Sequence, residues 1–332
     1  MKIAMLVPPY RYGADPTQWI TVPPQGYGGI QWVVATLADA LLELGHDVYL
    51  LGAPGSPERR GLTVTDVTTT DEADRVLREI HPQVVHDHSN ASLLPAGGAW
   101  PTISTSHLNG PPARLENVVY VSRAQQLSGG SRSGPVLPLP VNPARFRFSE
   151  AKDDSLLFLG RISAHKGARQ AAVFARAVGL RLKMAGPAWE RDYFDALLAD
   201  FPDTIDYLGE VGGTERTELL ARARALLVLS QTQGGPFEGW IEPGATVVSE
   251  AAVSGTPIIA SDNGCLPEIV PGVGAILPEL APLPCNEART LLDTLPRPAA
   301  VRQVATARWG HLGIAAKYVA IYERAINGGS WT

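Results

Sequence analysis

At 332 residues the chain is long for one hydrophobic core and comfortable for two domains, and 45% hydrophobic with 18% charged residues describes an ordinary soluble globular protein. A formal net charge of −5, from 28 Lys and Arg against 33 Asp and Glu, argues against a nucleic-acid partner, and no stretch approaches the ~20 apolar residues of a membrane span. The two cysteines, Cys265 and Cys285, show neither ligand spacing nor a paired framework, which fits a reduced, cytoplasmic setting. The opening MKIAMLVPPY is too short for a signal-peptide core and reads as a first strand, Lys2–Val7.

That strand is continuously apolar, as expected of a parallel sheet covered on both faces. A long loop rich in Gly, Pro and aromatics follows, RYGADPTQWITVPPQGYGG. A loop of this length inside a compact domain is usually functional. Ile30, Val33, Val34, Leu37, Leu41 and Leu44 then keep helical spacing until Gly45, and Val48–Leu51 forms the next strand. The order strand, Gly loop, helix, strand is the front of a Rossmann-like unit, but the G-x-G-x-x-G fingerprint is absent and no dinucleotide is implied. Gly28 and Gly29 either let a ligand approach the helix start or make an ordinary turn.

Helix Ala73–Ile80 leads to strands at 82–88, 102–105 and 118–121, each ending in polar residues. Ligands of open parallel sheets collect beyond the carboxyl ends of strands, where His86, His88, His107 and Ser122 fall. His86-x-His88 has the alternation of a metal site but lacks a third ligand, and no metal is expected. His107 is read as a substrate contact, with a structural hydrogen bond as the alternative.

The proline-bearing stretch Gly134–Arg145 is the expected domain boundary, dividing a first domain (1–140) from a second (141–308), with a closing segment at 309–332. A second sheet starts with Ser155–Leu159, and Gly160, Arg161, Lys166 and Gly167 follow in a loop before helix Ala168–Val178. Two cations beside backbone N–H groups suit a pyrophosphate, although a surface loop with two basic residues looks the same in sequence. Strands at 182–185, 205–208, 226–229 and 257–260 alternate with helices at 193–199 and 214–223, and a long helix over 308–326 closes the chain. Between two of these strands lie Glu242 and Glu250, eight residues apart. Gly244-Ala245-Thr246 can open an amphipathic helix over Val247–Val253 that stops at Gly255 and whose free N–H groups suit a phosphate, with Glu242 in the loop before it and Glu250 inside it. One carboxylate can face a sugar while the other accepts ribose hydroxyls; two solvated glutamates are the plain alternative. The predicted architecture is α/β, two Rossmann-like doubly wound domains facing across a cleft.

Gly160-Arg161…Lys166-Gly167 followed by Glu242-x7-Glu250, preceded by Tyr27-Gly28-Gly29, Gly45-His46-Asp47-Val48, Val85-His86 and Thr105-Ser106-His107, resembles the retaining GT-B glycosyltransferases of sequence family 4. The resemblance runs from Met1 to about Ile326, and the Tyr-Gly-Gly form in a short chain is similar to the branch serving avilamycin-type antibiotic assembly. It implies that domain 1–140 is the acceptor side, that domain 141–308 binds the nucleotide sugar, and that the last helix crosses back to the first domain. The loop from Tyr10 to Tyr27 would then shape the acceptor site, its Trp19 and tyrosines either stacking on a sugar or simply packing. The resemblance also implies that Arg161, Lys166 and Gly160 hold the donor diphosphate, that N–H groups near Thr246 and Val247 cap the β-phosphate, and that Glu250 holds the ribose. Glu242 would hold the donor sugar, with His107, Gly28 and Gly29 approaching from the first domain. The implied reaction moves a hexose from a nucleotide sugar, UDP-sugar foremost, to a hydroxyl of a small molecule or oligosaccharide, with retention. No Asp-x-Asp occurs and no obligatory cofactor is expected. An epimerase, a phosphorylase and a non-catalytic nucleotide-sugar binder remain the alternatives. Two departures stand out: Gly244-Ala245 replaces the family's Phe-Gly, and the segment 233–241 looks expanded and carries a competing acid, Glu238.

Overall fold

The computed structural model describes all residues except 14, 112–116, 234–237, 280–282 and 332. The chain divides into two compact units, Met1–Pro140 with Gly310–Thr332, and Val141–Trp309. Each is built on a six-stranded parallel sheet.

In the first unit the elements run β1 (Lys2–Val7), α1 (Gly29–Glu43), β2 (Asp47–Gly52), β3 (Leu62–Thr65), α2 (Thr70–Ile80), β4 (Val84–Asp87), β5 (Thr102–Thr105), β6 (Val118–Val119) and α3 (Arg123–Ser128). The sheet order is β3-β2-β1-β4-β5-β6, so the direction of winding reverses between β1 and β4. Residues 3 to 7 are wholly buried because the central strand is covered on both faces. One face packs Val34, Leu37 and Leu41 of α1 together with Ile314, Tyr318 and Tyr322 of the chain's last helix; the other packs Val76 and Leu77 of α2. Helix α2 starts at a capping box: Thr69 accepts from the Glu72 N–H while the Glu72 carboxylate accepts from the Thr69 N–H.

In the second unit come β7 (Ser155–Leu159), α4 (Ala168–Val178), β8 (Arg181–Ala185), α5 (Arg191–Asp200), β9 (Ile205–Tyr207), α6 (Gly213–Arg222), β10 (Ala225–Val228) and α7 (Thr246–Val253). They are followed by β11 (Ile258–Ser261), α8 (Leu266–Ile269), β12 (Gly274–Leu277), α9 (Cys285–Thr294) and α10 (Pro298–Trp309), after which α11 (His311–Ile326) returns to the first unit. The order β12-β11-β10-β7-β8-β9 repeats the first sheet's winding, and here it reverses between β7 and β10. Helices α4, α5 and α9 cover one face; α7, α8 and α10 cover the other.

Two expectations change. The closing helix predicted over 308–326 is two helices, broken at Gly310, whose ψ of 125° is extended and interrupts the helical hydrogen bonds. Helix α7 is not amphipathic: Val248 to Val253 are all buried, so the helix is enclosed rather than laid on a surface. No described helix is long and apolar enough to cross a membrane.

Candidate functional site

The reversal between β7 and β10 leaves a gap at the strands' carboxyl ends, where no loop has to cross. The chain leaving β7 carries Gly160, Arg161 and Lys166, and the chain leaving β10 carries Ser230 and then Glu242. Lys166 and Glu242 meet there: Lys166 Nζ donates to Glu242 Oε2 at 2.6 Å, and Ser230 Oγ donates to the same oxygen at 2.8 Å. The Glu242 backbone is clamped as well. Its N–H donates to Asn263 Oδ1 at 2.7 Å, and its carbonyl accepts from the Cys265 N–H at 2.9 Å. Asn263 in turn donates to the Trp240 carbonyl at 3.1 Å and to Glu279 Oε1 at 2.8 Å. Gly264 permits this clamp, since its φ of +55° is left-handed and a Cβ there would lie 2.5 Å from the Glu242 nitrogen.

The electrostatics follow from the packing. Burial pushes the Glu242 carboxyl up, but Lys166, Ser230 and Trp240 outweigh it and hold the group below the ordinary carboxylate value. His165, between the cations, is pushed down to about 4 by burial, with Lys166 and Arg161 adding to the effect. It is therefore neutral near pH 7 and does not compete for anions. Lys166 Nζ also lies 4.5 Å from the Trp240 ring centroid, and the Arg161 guanidinium 4.7 Å from that of Trp189. Arg161, Lys166 and Glu242 all act on the His165 ring, a cluster of two cations and one carboxylate at the ends of β7 and β10.

Glu250 is placed differently. Enclosed in α7, its carboxylate forms an ion pair with Arg216 of α6, the two side chains being 6% and 11% exposed. A buried carboxylate needs such a partner, since an unpaired charge there costs several kcal/mol. Thr246 and Val247 are the first two residues of α7, and no side chain caps that start. Gly160 has open space where a Cβ would stand.

In the first unit the predicted residues separate. Gly29 faces open space, but Gly28 is required by packing: its Cβ would come 2.9 Å from Ile20 and 3.0 Å from Pro24. Ser122 caps α3, accepting from the Gln125 N–H at 3.1 Å, and is a structural residue. His86 has both ring nitrogens engaged by hydroxyls, Tyr322 and Thr105, each at 2.7 Å, so the metal-like alternation His86-x-His88 is occupied by hydrogen bonding. His107 is half-buried beyond β5 and meets His88. Of the expanded segment 233–241, residues 234–237 lie outside the described residues, and Glu238 is exposed.

Sequence reasoning missed Ser230, Asn263, Arg216, Trp189 and Trp240. Ser230 and Asn263 follow β10 and β11 directly, so the strand-end rule already used for His86, His107 and Ser122 would have found them. Arg216 carries no local signal, because its partner is 34 residues away.

Two units, each on a six-stranded parallel sheet with the same winding order, give the fold of the GT-B glycosyltransferases. Residues 143–272 match the family described as glycosyl transferases group 1, and the chain belongs to that family. It is 50% identical to AviGT4, a glycosyltransferase involved in avilamycin A biosynthesis, over 100% of this chain and 99% of that one, with a TM-score of 0.94. Two more distant structures share the fold. Sucrose-phosphate synthase from Thermosynechococcus elongatus is 17% identical over 98% of this chain and 99% of its own, with a TM-score of 0.75. The Anabaena protein Alr3699/HepE, solved in complex with UDP and glucose, is 16% identical over 96% of this chain and 98% of its own, with a TM-score of 0.69. Among curated protein sequences none matches.

Proposed function

We propose that this glycosyltransferase moves a hexose from a UDP-sugar to an acceptor hydroxyl with retention of anomeric configuration, in the assembly of an antibiotic-type oligosaccharide. The observation that carries the reading is the Arg161, Lys166 and Glu242 cluster at the carboxyl ends of β7 and β10. Two cations at that point offset the charge that builds on a departing diphosphate, and the open start of α7 adds backbone N–H groups. Glu250, held by Arg216, accepts the ribose hydroxyls; Glu242, held by Lys166 and Ser230, accepts those of the donor sugar. In the step itself the anomeric C–O bond to the diphosphate breaks, the acceptor oxygen bonds to the same face of that carbon, and its proton passes to the leaving phosphate oxygen. His107 is assigned to substrate contact, and no divalent ion is required. UDP as the nucleotide is supported by the fold shared with Alr3699/HepE, and the antibiotic context by the similarity to AviGT4.

The test is a thermal-shift screen of nucleotide sugars, since a ligand bound at many times its Kd stabilises the folded chain by mass action. The best donor is then turned over in EDTA with candidate acceptors, and the product's anomeric configuration is read by NMR. Retention is expected. An inverted product, a phosphate requirement, or release of UDP and a new epimer without acceptor refutes the reading.

A further inference from the structure

The first unit holds a chain of buried polar contacts at the carboxyl ends of the neighbouring strands β4 and β5, where α11 packs. His86 Nδ1 meets the Tyr322 hydroxyl at 2.7 Å, His86 Nε2 meets Thr105 Oγ1 at 2.7 Å, and Thr105 Oγ1 meets the Tyr318 hydroxyl at 3.0 Å. The His88 ring lies against that of His86, with centroids 3.9 Å apart. On its other side His88 Nδ1 meets His107 Nε2 at 2.9 Å. His88 is fully buried, and its Nε2 has no hydrogen-bond partner among the described residues.

These facts restrict where the protons sit. Burial pulls His88 well below the ordinary imidazole value and His107 down to about 4, so near pH 7 both rings are neutral and each carries one ring proton. A 2.9 Å contact between two neutral rings must contain one of those protons. If His107 donates, the single proton of His88 lies on Nε2, a buried N–H with nothing to receive it. If His88 donates from Nδ1, its Nε2 is a bare lone pair, and His107 carries its proton on Nδ1. An orphaned buried donor is the costlier of the two defects and the rarer in folded proteins.

We propose that His88 is a positioning residue that holds His107 as the neutral tautomer protonated on Nδ1, so that His107 offers an N–H to a substrate oxygen. In this state His107 recognises a hydroxyl, carbonyl or ether oxygen as acceptor, and it is no general base, because its one free lone pair is filled by His88. The substrate contact rests on the function proposed above; the tautomer does not.

Long-range 1H–15N correlation spectra of the histidine-labelled full chain at pH 7 test the assignment. Protonated Nδ1 and bare Nε2 are expected for His107, with no titration of its ring between pH 5 and 8. His88→Asn, whose amide N–H stands where Nδ1–H stood, should keep the tautomer. His88→Leu should lose it. Turnover should fall at least about tenfold in His88→Leu and recover in His88→Asn, while UDP affinity stays within about twofold in both. A wild-type His107 protonated on Nε2, or one titrating near 6.5, overturns the proposal even if His88→Leu fails to fold. A tautomer that shifts in His88→Leu with turnover unaltered overturns the link to transfer and removes His107 from the substrate site, leaving the tautomer assignment standing.

Discussion

Replacing Glu242 with glutamine removes one charge from the Lys166–Glu242 pair while leaving an oxygen for Ser230 to reach. At 2.6 Å the pair attracts by about 6 kcal/mol at an effective dielectric of about 20, and desolvation of both groups cancels a large part of that. Glu242 is 7% exposed at its side chain but Lys166 is 22% exposed, so water replaces part of what the lysine loses. The expected net loss is about 2–3 kcal/mol in the unfolding of the second unit. A double-mutant cycle with Lys166→Met, followed by urea unfolding, isolates the pair and should return a coupling of about 2 kcal/mol. The pH dependence has a definite sign. Because the folded carboxyl of Glu242 sits below its unfolded value of 4.5, the contribution is complete above that value and is lost as pH falls through the folded one. The gap between wild type and Glu242→Gln should therefore narrow at pH 3. UDP affinity in Glu242→Gln should be no weaker than wild type, since a negative charge beside the phosphate site is gone, while transfer collapses. A coupling under about 0.5 kcal/mol, or a gap that is flat from pH 7 to pH 3, would refute the reasoning.

Arg161→Ala should lower kcat by about 2–4 kcal/mol of transition-state stabilisation and leave the urea midpoint unchanged, as read by steady-state kinetics beside unfolding curves. Glu250→Ala removes the buried carboxylate that Arg216 pairs with, so it should cost about 3 kcal/mol of stability and weaken UDP as well; Glu250→Ala combined with Arg216→Met should restore much of the stability but not the UDP affinity. Gly264→Ala forces a left-handed φ and pushes against the Glu242 backbone, and should cost about 2 kcal/mol while depressing transfer more than UDP binding.

Most strands of both sheets were legible, the clearest being apolar runs closed by Gly or polar residues; Lys2–Val7 and Ser155–Leu159 have the bounds that pattern predicts. Strand β3 was not legible, since Leu62–Thr65 is half polar and draws its stability from pairing with β2. Four elements between Leu266 and Trp309 likewise lack a strong period, being short or only partly buried. At the site, the cations of the Gly160–Gly167 loop and the two glutamates could be read from spacing, but their partners could not. Glu242 is held by Asn263 and Glu250 by Arg216, contacts that exist only once the sheet is wound. His86 makes the same point from the other side: its hydroxyl partner Tyr322 is 236 residues away, and that contact turns an apparent metal ligand into a structural hydrogen-bonding residue.

Titration calorimetry of UDP into wild type and Lys166→Ala, both in EDTA, tests the central claim most directly. The account predicts that UDP binds the wild-type chain without metal and that Lys166→Ala weakens it by tenfold or more, about 1.4 kcal/mol at the least, because the lysine faces the diphosphate. Equal UDP affinity in the two proteins would contradict the placement of the diphosphate at the Lys166–Glu242 cluster.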